Sequence, residues 1–90
     1  MFGLSDAEIH QIKNLIHSNG STLALLFGSR AKGNYKAGSD VDIAVNSNET
    51  KISYILNEES NLPYYFDIVN IKKIKNKKLL DHIDTIGKSF

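Results

Sequence analysis

The sequence predicts a small α/β domain in which short strands alternate with helices. Three observations carry that expectation. Apolar residues at helical spacing, Ile9, Ile12, Leu15 and Ile16, give way to an unbroken apolar run over Leu23–Phe27 that is too short for a helix. Two further stretches, Asp40–Val45 and Tyr64–Val69, alternate with the period of a strand. Helical spacing then returns after each of them. The resulting order is helix, strand, short helix, strand, helix, strand, helix, with the sheet expected to be covered mostly on one side.

At 90 residues the chain reads as one domain, residues 1–90. A domain of that size buries roughly two-thirds of its unfolded surface, enough for one modest core. There is no cysteine, which excludes a disulfide framework, a thiolate metal site and a cysteine nucleophile. Asp6 and Glu8 fall where a signal peptide would be basic and apolar. No apolar run approaches the roughly 20 residues of a membrane span. A cytoplasmic protein without a membrane partner is the expectation. The net charge of +1 speaks neither for nor against nucleic acid.

Each element has a local reason. Ser5 and Glu8 form a capping box, and Leu4 and Ile9 a hydrophobic staple, for a first helix that Asn19-Gly20 ends. The run Leu23–Phe27 suits a central strand buried on both faces. Gly28-Ser29 closes it, with Ser29 as the expected N-cap of a short basic segment running to Lys36. A second long helix is expected over Glu49–Glu59, buried through Ile52, Ile55 and Leu56 and ended by Pro63. Asn70 is the expected cap of a final helical region using Ile74, Leu79, Leu80, Ile83 and Ile86, with Lys88-Ser89-Phe90 as a tail. Lys72, Lys73, Lys75, Lys77 and Lys78 read as a solvated face or a docking surface for an acidic partner. His10 and His17 lack a second ligand at metal-ligand spacing and read as surface or edge residues, and His82 has no metal-ligand partner by spacing.

The chemistry concentrates in Leu23–Val45. A glycine lets backbone pass close to a bound group, and the N–H groups that open a helix bind phosphate well. Gly28-x4-Gly33 is not a P-loop, because Asn34 and Tyr35 stand where Lys and Ser or Thr are required. Asp40 and Asp42, two apart on a strand, share a face roughly 6–7 Å from one another. Such carboxylates repel unless a cation lies between them or one takes a proton. Beside a phosphate-binding turn, magnesium is the economical cation. Arg30 and Lys32 are candidates for touching triphosphate. Asp67, an acid inside the third strand, needs a partner: a lysine, or the cleft that Asp40 and Asp42 face.

The string Gly28-Ser29, ten residues, then Asp40-Val41-Asp42 resembles the signature of the DNA polymerase β-like nucleotidyltransferase superfamily. The run Gly28–Val45 is similar to that of its smallest members, the minimal nucleotidyltransferases. The resemblance implies a polymerase β-like palm, a small mixed sheet with helices packed on it and three carboxylates at one end. It implies catalytic and metal-binding roles for Asp40, Asp42 and Asp67, holding two Mg²⁺ roughly 4 Å apart. Gly28, Ser29, Arg30, Lys32 and Ser39 become the nucleotide-binding candidates, with ATP as donor.

In the larger relatives, further domains grip nucleic acid or select a base. This chain ends about twenty residues after its last expected strand, so nucleic acid is not expected as the direct substrate. Minimal nucleotidyltransferases are paired with helical HEPN-family proteins as antitoxin and toxin. The resemblance therefore implies a hetero-oligomer in which AMP passes from ATP to a tyrosine of the HEPN partner. Two other readings stand beside it: a non-catalytic nucleotide-binding partner, and a free-standing enzyme acting on RNA or a small molecule.

Overall fold

Ser5 and Glu8 cap one another as their spacing predicts. Ser5 Oγ accepts from the Glu8 N–H at 3.1 Å, and Glu8 Oε1 accepts from the Ser5 N–H at 2.9 Å. The helix they open, α1, spans Asp6–Ser18 and ends before Gly20, whose φ of 99° needs a residue without a side chain. The computed structural model describes residues 1–89. Its remaining elements are β1 (Leu25–Phe27), α2 (Gly28–Lys32), β2 (Val41–Val45), α3 (Glu49–Tyr54), β3 (Phe66–Asn70), α4 (Lys77–Ile86) and β4 (Lys88–Ser89).

Several boundaries differ from the sequence expectation, each for a local reason. β1 begins at Leu25 rather than Leu23, because the Ser21 hydroxyl donates to the Leu23 carbonyl at 2.7 Å and accepts from its N–H at 3.2 Å. The helix expected over 49–59 is α-helical only to Tyr54, and Ile55–Glu59 continues as a π-helical turn. The wider turn aims Asn57 at the backbone of Phe66, accepting its N–H at 2.7 Å and donating to its carbonyl at 2.8 Å. Asn57 thus supplies to an edge strand part of what a missing neighbour would.

Asn70 does not cap the last helix. It closes β3, and its side chain accepts from the Lys72 N–H and donates to Glu49. Asn76 caps α4, accepting from the N–H groups of Lys78 and Leu79. The lysine cluster is therefore split between a turn and the start of α4, with Lys73 bound to Glu49 at 2.8 Å. The expected tail is partly a strand: Lys88 and Ser89 pair with Leu26 and Leu25, and Phe90 lies outside the described residues.

The sheet order is β3-β2-β1-β4, with β2 and β3 parallel and the other pairs antiparallel. It is mixed, and helices cover both of its faces rather than mainly one. Leu26, Val41, Ile43, Val45 and Phe66 meet Ile12 and Ile16 of α1 and Ile52 of α3. On the other face Phe27 and Ala44 pack with Ile83 and Leu79 of α4. That second, smaller core carries the acids. Among the described residues no helix is long and apolar enough to cross a membrane.

Candidate active site

Strand register gathers the carboxylates. Phe27, the last residue of β1, pairs with Asp42 of β2, and Asp42 pairs with Asp67 of β3. One row across three strands therefore leads from the Gly28 turn through Asp42 to Asp67. Alternation then does the sorting. Val41, Ile43 and Val45 are fully buried, while Asp42 points to the opposite face, with Asp40 two residues earlier. Asp42 is half-buried, and Asp40 and Asp67 are exposed.

Glycine is required where the turn meets the acids. Gly28 has φ +73°, and a β-carbon built on it would collide with the Asp42 carboxylate. Ser29 is not the N-cap: Phe27 takes that place, and no side chain caps the first turn of α2. Ser29 is the second residue of the helix, beside the row of acids.

The Asp42 carboxyl is held above its ordinary value. Burial is the largest cause, followed by the charges of Asp67 and Asp40. A cation would relieve that crowding, and carboxylate oxygens are the donors magnesium takes. Among the described residues, however, no three acidic or imidazole groups already form a closed metal cage. Asp42 and Asp67 are the paired core, with Asp40 at the rim. Magnesium needs only one or two carboxylates when phosphate oxygens and water complete its shell. The donor set fits on those terms.

Arg30 does not join the acids. It is 2% exposed, and its guanidinium donates to the carbonyls of Phe2, Ala37 and Ser39. The rings of Tyr35 and Tyr64 lie 5.3 and 5.0 Å from it. Tyr64 in turn donates to both Glu8 oxygens at 2.9 Å, which ties α1 to the same cluster. Arg30 ties the loop between Gly33 and Asp40 to the N-terminal segment. Ser39 belongs to that loop: its carbonyl accepts from Arg30 and its hydroxyl from the Lys36 N–H. Lys32 is exposed at the end of α2. A depression of about 690 Å³, lined by residues 46–51 with Tyr54, Asn70 and Lys73, opens at the far end of β2 and β3 and contains none of the acids.

Sequence reasoning missed His82. Its Nε2 accepts from the Gly28 N–H at 3.1 Å, and its ring meets Phe27 edge-on at 6.0 Å between centroids. The signal was there: His82 lies three residues after Leu79 and four before Ile86, inside the apolar stripe of α4.

A strand, a glycine turn and paired acids on the next two strands define a nucleotidyl-transfer palm. The family described as polymerase beta, nucleotidyltransferase, matches residues 10–90. The chain belongs to that family and is a minimal nucleotidyltransferase of the polymerase β-like superfamily. A solved crystal structure of a toxin–antitoxin with AMP-PNP is similar, with a TM-score of 0.74 and 26% identity. The likeness covers 89% of this chain and 69% of that one. No curated protein matches the sequence.

Proposed function

We propose that the protein is the antitoxin half of a toxin–antitoxin pair, a magnesium-dependent enzyme that moves AMP from ATP to a tyrosine hydroxyl of a helical HEPN-family partner. The observation that carries this reading is the register that sets Gly28, Asp42 and Asp67 in one row. The similar toxin–antitoxin with AMP-PNP supports both the adenine nucleotide and the partner. The reading puts the protein in the cytoplasm, where ATP is available.

The Gly28-Ser29 turn would receive the β- and γ-phosphates, with the Ser29 hydroxyl as a donor beside the backbone. Asp42, Asp67 and Asp40 would hold magnesium, which neutralises phosphate charge and eases ionisation of the acceptor. Asp67, the more exposed of the central pair, stands on the edge strand β3. It would take the proton of the incoming hydroxyl. The hydroxyl oxygen then bonds to the α-phosphorus, the bond from that phosphorus to the β-bridging oxygen breaks, and pyrophosphate leaves with the electron pair. Positioning and charge supply most of the rate effect, because the protein forms no covalent bond itself.

Calorimetric titration with ATP tests the reading. Binding in Mg²⁺ that disappears in EDTA is the expected result, and equal affinity in both would remove the metal from the account.

A further inference from the structure

We propose that His82 is a positioning residue of the nucleotide site, whose Nε2 holds the Gly28 N–H so that the turn presents Ser29 to phosphate. The functional half of this rests on the nucleotidyltransferase reading; the structural half does not.

Gly28 is clamped from two sides. The Asp42 carboxylate closes the space where a side chain would stand, and His82 takes the N–H at 3.1 Å. With that N–H satisfied, the turn has little freedom to rotate, and Ser29 is set by its neighbour. An Nε2 that accepts must be unprotonated, so the neutral ring carries its proton on Nδ1.

The support behind the imidazole is short and stiff. His82 adjoins Ile83, which is 1% exposed and packs with Phe27 and Ala44. α4 is fixed at its start by the Asn76 cap. At its end the chain passes through Gly87 into β4, which pairs with β1. Donor and acceptor are therefore both carried by β1, one through the turn that follows it and one through β4 and α4. A hydrogen bond built on one strand from both ends holds its geometry when the rest of the domain moves.

Two measurements test the proposal. In the nucleotide-free protein, long-range proton–nitrogen NMR should find Nε2 as the unprotonated ring nitrogen, coupled in its shift to the Gly28 amide. A ring protonated at Nε2 in that state would overturn it. His82→Phe keeps a ring against Phe27 but removes the acceptor, whereas His82→Gln returns an acceptor near the position of Nε2. The Phe variant should melt close to the parent yet show KM for ATP raised about fivefold, the worth of one hydrogen bond, with kcat changed less. The Gln variant should recover most of that loss. A Phe variant with the parent KM, or a Gln variant as impaired as Phe, would refute the positioning role. Should the parent itself fail to turn over ATP, the nucleotidyltransferase reading falls and the NMR result alone decides whether His82 holds the turn.

Discussion

Asp42 and Asp67 face one another across the parallel β2–β3 ladder, two carboxylates at a position where a structural pair would be of opposite charge. Burial and the charge of Asp67 hold the Asp42 carboxyl above its ordinary value, so that ionising both acids works against the fold.

Asp42→Asn should accordingly stabilise the metal-free protein. Below the ordinary carboxyl value of 3.8 the folded and unfolded chains are both protonated at Asp42, and parent and variant should melt alike. As pH rises through the elevated folded value, the unfolded chain releases its proton first and the parent loses this contribution. At neutral pH the variant should melt a few degrees higher, with the effect softened by solvent around a half-buried group. Thermal melts in EDTA from pH 3 to 8 check this. A variant that melts lower at neutral pH would mean that the carboxylate holds the fold together.

Arg30 should matter to stability more than to phosphate binding. Arg30→Lys keeps the charge but cannot reach three carbonyls with one ammonium or stack between Tyr35 and Tyr64. We expect a loss of about 2–3 kcal/mol in urea unfolding, from a buried hydrogen-bonded charge. Magnesium-ATP affinity of the folded fraction should stay within about threefold, less than the loss of one charged hydrogen bond. An unchanged midpoint with lost affinity would return Arg30 to the phosphate.

Gly28 and Gly33 form a natural control pair. Both have positive φ, but an added β-carbon meets Asp42 at Gly28 and nothing within 4 Å at Gly33. Gly33→Ala should cost about 1 kcal/mol from backbone strain alone. Gly28→Ala should cost about 1 kcal/mol or more beyond that, since a carboxylate must move. Equal losses in urea unfolding would show that the turn has room to spare.

What could be read from the sequence was what depends on near neighbours. The Ser5–Glu8 box, the alternation that turns Asp42 away from Val41 and Ile43, and the Gly28-Ser29 turn are set within a few residues. The burial of Arg30 was not legible, because its acceptors are carbonyls of Phe2, Ala37 and Ser39, brought together only by the fold. His82 was missed for the same reason: 54 residues separate it from Gly28. The start of β1 moved because Ser21, outside the apolar run, took hydrogen bonds that a ladder would have used. The second core beneath α4 also depended on a strand, β4, of only two residues.

Transfer of a nucleotidyl group by the row from Gly28 to Asp67 can be read out with labelled ATP. ATP labelled at the α-phosphorus, and separately at the γ-phosphorus, should be incubated with magnesium, the protein and a co-expressed HEPN-family partner. The expected outcome is α-label fixed on a partner tyrosine, release of γ-label as pyrophosphate, and neither with Asp42→Asn or in EDTA. Label arriving from the γ-position, or α-label fixed equally by Asp42→Asn, would contradict it.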